Sequence, residues 1–419
     1  MTTPLHLAVG LDGAGWHPAA WREAPTRAAD VFTGRPWLEA VRRLEDADVD
    51  AVSFEDGLGL QPPTGHLADP AESGRLTGRL DASLIAAWLA GQTTRIGLIP
   101  TITTTHTEPF HTATNIASLD HASQGRAGWR VQISARAHEA DHVGRRDLSA
   151  LDDPNQREAA VADLLGEAGD AIEVARLLWD SWETDAEIRD AATGRFIDRD
   201  RLHRAAFAGS RFSVLGPSIT PRPPQGQPVV MVLAHTPVVQ ELAARGADVV
   251  LVTPQTDADI PLLIEQVRVA EQRVGRIGRP LQIWADAAVG LASSDAAAAT
   301  RLDDLDARAG EPFAGDAALL TGSAATVAER LNAWHAAGLD GVRLRPLTTA
   351  VDVPAIADHL VPLIRRTARQ SEVTGASATL QERLGLGSAA NRFAATPPFS
   401  TTSPSTTSPS STTPTGAPA

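Results

Sequence analysis

The sequence predicts an α/β fold, an eight-stranded (β/α)₈ TIM barrel, and three observations support this. Short β-branched runs alternate with longer amphipathic stretches along the chain. Eight such strand runs can be counted, the number that closes a parallel barrel. The turn after the first run reads GLDGAGWHP and fits neither G-x-G-x-x-G nor a Walker pattern, so a doubly wound open sheet is the second choice.

The strand runs are LHLAVGL (5–11), AVSFE (51–55), RIGLIPTI (95–102), AGWRVQIS (127–134), PVVMVLA (228–234), DVVLVT (248–253), LQIWADAAVGL (281–291) and GVRLRP (341–346). Between them, helical periodicity is clearest at 36–47, 81–91, 111–123, 259–274, 326–338 and 353–368. Two connections, about 183–226 and 305–325, exceed ordinary βα loops, and such insertions on a barrel serve as substrate lids or subunit contacts. From residue 394 the chain turns to Ser, Thr and Pro with almost no apolar content. That segment cannot offset its ordering entropy by burial, so the expected division is a barrel domain at 1–393 and a disordered tail at 394–419.

Composition narrows the chemistry. The net charge of −14 argues against a nucleic-acid footprint and against binding to anionic membranes. The absence of cysteine excludes disulfides, thiolate metal sites and cysteine nucleophiles. Lysine and tyrosine are also absent, which removes a Schiff-base lysine and a tyrosine general acid. The N-terminus lacks a basic region followed by an apolar stretch, and no apolar run reaches membrane-spanning length, so a cytoplasmic location is expected.

Residues 138–142, HEADH, satisfy the H-E-x-x-H zinc pattern. The flanks ARA and VGRRD offer no apolar face to seat a helix there, and a loop is expected, so zinc hydrolysis is set aside and no metal site is assigned.

Several stretches in order resemble one branch of the bacterial luciferase-like flavin-dependent monooxygenases, the branch of the nitrilotriacetate monooxygenase large component, dibenzothiophene-sulfone monooxygenase and the pristinamycin synthase. They are GWHPAAWR (15–22), FEDG (54–57), TITTTHTEPF (101–110), ASLDHASQGRAGWRV (117–131), EVARLLWDSW (173–182), GRFIDRDRLH (194–203), GSRFSVLGPSITPRPPQGQPVV (209–230) and TLQERLGLGSAANRF (379–393). The resemblance implies a two-component enzyme. A separate NAD(P)H-dependent flavin reductase supplies reduced FMN, and a small organic substrate is oxidised with O2 through a peroxyflavin. It also implies a homodimer or homotetramer. An F420-dependent oxidoreductase of the same barrel superfamily and a non-catalytic flavin-binding barrel are the alternatives.

The resemblance assigns site residues. Asp56, at the end of the second strand, matches an Asp beside the flavin, though Asp before Gly also suits a helix cap. Within the Thr-rich run, Thr103 and then Thr101 match the flavin contact. His17 is the candidate imidazole for the oxygen chemistry or the substrate, or else a satisfied loop histidine. Arg130 and Gln132 share one strand face, and Arg130 stands where the family has Asn; it either pairs with an anionic group in the cup or points out to the helices. Ala234, His235 and Thr236 occupy the phosphate turn, where backbone N–H groups at a helix start can bind an anion. Trp16 is expected to line the pocket, and Trp179 and Trp182 to be core or interface. The family's His and Tyr flavin contacts are replaced by Val161 and Leu165.

Overall fold

The computed structural model describes residues 4–60, 74, 76–368 and 378–394. β1 (His6–Leu11), β2 (Ala51–Phe54), β3 (Gly97–Thr103) and β4 (Gly128–Gln132) come first. Two small antiparallel hairpins follow: β5 (Glu187–Asp190) with β6 (Arg195–Ile197), and β7 (Phe207–Ala208) with β8 (Ser213–Val214). β9 (Val229–Leu233), β10 (Val249–Val252), β11 (Gln282–Ala292), β12 (Leu319–Ser323) and β13 (Gly341–Pro346) complete the strands. Around the barrel the order is β1-β2-β3-β4-β9-β10-β11-β13, every pairing parallel, and β13 returns to β1. The pairing of β10 with β11 closes the ring and rules out an open sheet. All eight predicted runs are barrel strands.

The helices are α1 (Arg35–Asp46), α2 (Ala82–Ala90), α3 (Pro109–Ser123), α4 (Ala137–Val143), α5 (Arg157–Asp180), α6 (Pro237–Gly246), α7 (Ile260–Val274), α8 (Asp295–Ala309), α9 (Ala324–Ala336), α10 (Thr349–Ala355), α11 (Val361–Ala368) and α12 (Leu380–Arg383). Their starts carry the expected caps: Asp81, Ser294 and Ser323 accept the backbone N–H three residues on, at 2.8, 3.2 and 3.2 Å. No helix among the described residues is long and apolar enough to cross a membrane.

Two cores follow from the alternation of side chains along each strand. Outward residues such as Val9, Val52, Leu98, Val230, Val250, Ile283 and Val342 pack against Leu44, Leu89, Ile116, Leu178 and Leu331 of the helix layer. Inward residues at the amino-terminal end, Ala8, Ala51, Ile99, Val229, Met231, Val249, Leu251 and Trp284, form a second core. Leu380 and Leu384, on and just after α12, join it and plug the bottom of the barrel. Gly341 makes room for the plug layer, since a Cβ there would lie 2.6 Å from the Trp284 ring.

Three expectations change. The connection at 305–325 contains β12, which pairs with the end of β11, Ala288 to Ala292, beyond the stretch paired with β10. The run LLTGS carries only two large apolar residues and gives little strand signal. The segment 183–226 holds the two hairpins, whose strands are short and have no fully buried residue. HEADH lies on a helix, α4, instead of a loop: Ala140 seats it against Leu148, Leu151 and Leu164. The tail expected from 394 lies, from 395 onward, outside the described residues.

Candidate active site at the carboxyl end of the barrel

Above the apolar plug the inner face turns polar. The same alternation that buries Ala51, Ile99 and Trp284 places Ser53, Thr101, Arg130, Asp286 and Arg343 one step higher, with Glu55, Thr103, Gln132 and Arg345 at the next. Arg343 is 1% exposed; its Nε donates to Ser53 Oγ at 2.8 Å, Nη1 to Asp286 Oδ2 at 3.1 Å, and Nη2 to Glu55. Arg130 donates from Nε to Thr101 Oγ1 at 2.8 Å and from Nη2 to the other Glu55 oxygen. Burial alone would raise the Glu55 pKa, but the Arg130 and Arg343 guanidinium groups outweigh it and hold the carboxyl below its usual range. Gly10 on β1 leaves space for this lattice, because a Cβ there would meet Arg343 Nη2 at 2.8 Å.

Arg345 carries the lattice to the rim. Its Nη1 donates to Asp316 Oδ1 at 2.5 Å, and its guanidinium lies over the Trp16 ring, 4.8 Å from the centroid. Burial opposes ionisation of Asp316, yet Arg345 and then His235 hold its pKa low. His235 reaches Thr253 Oγ1 at 3.0 Å through Nδ1, and its Nε2 lies 3.4 Å from Asp316. His17 Nδ1 accepts the Ala19 N–H at 3.1 Å, so the ring proton sits on Nε2, which donates to Asp306 at 2.9 Å. The same Asp306 oxygen accepts the Phe313 N–H at 2.8 Å, and the Phe313 ring stacks on His17 at 5.5 Å. These contacts fix the 310–318 segment across one side of the cup. A cavity of about 310 Å³ lies beneath it, lined by Trp16, Ala288, Phe313, Asp316, Ala317 and Arg345.

The other side of the cup is built by β2, β3, β4 and β9. Asp56 points away from the barrel axis relative to Glu55; its oxygens accept the Gly57 N–H at 2.7 Å and the Ala82 N–H at 2.9 Å, and burial raises its pKa. It ties the loop after β2 to the start of α2. Thr103 Oγ1 accepts only a long 3.4 Å bond from Thr105 N–H, leaving its own hydrogen to donate. Ala234 donates its N–H to Leu251 O at 2.8 Å, and Thr236 precedes Pro237 at the start of α6. Asp12 is half-buried, desolvation raises its pKa, and Arg79 Nη2 bonds both its oxygens at 3.2 and 3.1 Å.

The lattice thus contains Thr101 and Arg130 among the sequence-predicted residues, with Thr103 beside it. Arg130 faces the barrel interior and not the helix layer. His17 and His235 lie at the rim, committed to Asp306, Thr253 and Asp316. Sequence reading missed Glu55, Asp286, Arg343 and Arg345. Their signal was present: S-x-E, W-x-D and R-x-R place polar residues at period two inside strands, the spacing of one face. His106 is buried at 8% exposure, neither ring nitrogen has a hydrogen-bond partner among the described residues, and burial lowers its pKa. In α4, Glu139 is taken by Ser134 and Arg136, and His142 Nδ1 by Leu58 O at 2.8 Å. No group of three residues suited to holding a metal occurs among the described residues.

The donor set suits an electron-rich ligand. Arg79 Nε, Trp16 Nε1, and Arg345 Nε and Nη2 are buried without a hydrogen-bond partner among the described residues. A model of the luciferase-like monooxygenases matches residues 15–341. The chain belongs to this family. It is 34% identical over 251 residues to N-acetyl-S-(2-succino)cysteine monooxygenase of Bacillus subtilis (strain 168), covering 59% of this chain and 52% of that one. It is 32% identical over 306 residues to nitrilotriacetate monooxygenase component A of Aminobacter aminovorans, covering 71% and 65%. The chain therefore spans about half to two thirds of the length of these relatives. The fold matches a riboflavin lyase structure with TM-score 0.79 at 22% identity (92% of this chain, 96% of that one) and a long-chain alkane monooxygenase with 0.78 at 20% (92% and 96%). On α5, Val161 is exposed and Leu165 packs into the interlayer core.

Proposed function

We propose that this luciferase-like barrel is the oxygenase of a two-component system, taking reduced FMN from a separate NAD(P)H-dependent reductase and oxidising a small organic substrate with O2. The observation that carries the reading is the cup itself: a rigid arginine–carboxylate floor beneath a mouth with buried, unpartnered donors. Reduced FMN, when bound, supplies the electrons that activate O2. Every other contribution comes from the chain.

Thr103 presents its hydroxyl on the β3 side, where it suits a flavin ring edge, and Thr101, fully buried one step lower, is held by Arg130 beneath it. Ala234 gives its N–H to Leu251 O, so within the Ala234–Thr236 turn it is the backbone N–H groups of His235 and Thr236, before α6, that suit the phosphate. Asp56 holds the β2 loop that borders this side, through the Gly57 and Ala82 amides. Arg130 and Arg343 keep the floor preorganised, because each is held by more than one partner. His17 acts as a positioning residue: Nε2 bonds the same Asp306 oxygen that holds the Phe313 N–H, while Nδ1 is taken by the Ala19 N–H of its own loop, so the ring is committed to anchoring the 310–318 segment over the cup.

The test is anaerobic titration of the purified chain with reduced FMN and, separately, reduced F420. Saturable FMN binding, tighter than F420, is expected. A folded protein that ignores reduced FMN would refute the reading, and a preference for F420 would move the chain to the deazaflavin branch of the superfamily.

A further inference from the structure

We infer that the outer faces of α2 and α3 form an interface with a second copy of this chain, the two copies related by a two-fold axis. The inference goes beyond the proposed oxygenase reading and does not depend on it.

α2 is apolar on both sides. Ala82, Ile85, Ala86 and Leu89 make its buried stripe, packed in the core between strands and helices. Leu84, Ala87 and Trp88, with Gly91 just after the helix, recur at helical spacing on the opposite side and are exposed. Leu84 is 70% exposed and Trp88 44%. The outer helix of a barrel ordinarily turns polar residues to water, and a helix apolar all round is a covered one. The Trp88 ring lies against Gly34, at the start of α1, where a Cβ would meet it at 2.8 Å. Phe32, two residues earlier, is exposed as well, so the apolar surface continues onto the segment before α1.

α3 packs beside α2. Its exposed side carries His111, Ser118, His121 and Ala122, with Thr114 and Asn115 half-buried between them. Thr114 Oγ1 donates to Phe110 O at 2.9 Å and Ser118 Oγ to Thr114 O at 2.8 Å. Both hydroxyl hydrogens are spent on the helix's own backbone and need neither water nor a polar partner. Asp120, the one fixed charge in α3, is fully buried, and α2 has none. By contrast, α1, α7 and α8 each turn charges of both signs to solvent, such as Glu39 and Arg42, Glu265 and Arg273, and Asp304 and Arg308.

Charge identifies the occupant. The chain carries a net −14, so two copies repel, and the face that joins them must add no charge of its own. A two-fold contact sets one patch against itself, where a charged residue near the axis would meet its own like. The neutral α2–α3 face is compatible with its own copy. Permanent homodimer interfaces have this apolar character, whereas partners that come and go meet across more polar surfaces.

The test is sedimentation equilibrium of the full chain at micromolar concentration. Wild type is expected at the mass of two chains or an even multiple. Leu84→Glu, at a position exposed enough to spare the fold, is expected to halve that mass and raise the dissociation constant at least a hundredfold, with its far-ultraviolet spectrum unchanged. Leu262→Glu, at a leucine 60% exposed on α7, is the control and is expected to leave the mass unaltered. Hydrogen exchange gives a readout without a variant: α2 and α3 amides are expected to exchange faster as wild type is diluted to monomer, while α7 amides do not change. A monomeric wild type, a mass that Leu84→Glu leaves intact, or equal dissociation in Leu262→Glu would overturn the interface. Loss of binding to a flavin reductase in Leu84→Glu at unchanged mass would also overturn it, and would give the face to an unlike partner.

Discussion

His17 and Asp306 lie 289 residues apart in sequence and are joined by a 2.9 Å hydrogen bond that pins the end of α8 to the loop after β1. The bond makes the imidazole part of a latch. His17→Gln is expected to destabilise the fold by about 1–3 kcal/mol, the cost of a buried hydrogen bond lost to an ionised partner. It is also expected to raise KM several-fold while leaving kcat within about threefold. Denaturant unfolding and steady-state kinetics check both. A kcat loss of about a hundredfold or more at unchanged KM would instead make the imidazole a proton carrier in the chemistry.

Arg343 sits between Glu55 and Asp286 at 1% exposure. Arg343→Met leaves two buried carboxylates short of a partner and is expected to cost about 3–5 kcal/mol. The pH dependence has a definite sign. Glu55 titrates below its ordinary 4.5 in the folded chain, so its contribution is fully present above that value and is lost as pH falls through the depressed folded pKa. The stability difference between wild type and Glu55→Gln is therefore expected to be constant above about pH 5.5 and to shrink in acid, as read from urea melts across pH.

Asp56 and Thr103 are expected to separate folding from binding. Both Asp56 oxygens are spent on backbone amides, so Asp56→Ala should cost about 1 kcal/mol of stability as a lost cap and weaken reduced-FMN binding as well. Thr103→Ala removes a hydroxyl whose hydrogen is free to donate, and it should weaken reduced-FMN binding more than folding. Paired melts and flavin titrations read both variants.

Leu380 is fully buried in the barrel plug, where it fills the space against Gly97 and Ala51. Leu380→Ala should cost about 2–5 kcal/mol without altering flavin affinity, because the plug lies at the end of the barrel opposite the cup. Equilibrium unfolding measures the first and titration the second.

The eight barrel strands were legible because each is a buried parallel strand, and its β-branched residues announce it. β12 was not: it pairs on one side only, with the end of β11, so it needs little apolar sequence. α4 was misread because a seven-residue helix with polar flanks can rest on one small apolar residue, Ala140, and one buried carboxylate, Glu139, whose partner Ser134 lies outside the helix. In the site, the family resemblance drew attention to loop residues after the strands. Asp286, Arg343 and Arg345 were hidden because charged residues within strands are read as solvent-facing unless their partners are known. Those partners, on β2, β11 and the segment before β12, are distant in sequence and meet only when the barrel closes.

The most direct measurement of the central claim is a crystal structure of the chain with FMN. The ring is expected in the cup against Thr103, its phosphate at the His235 and Thr236 amides. Flavin bound outside the cup, or with its ring away from Thr103, would contradict the account.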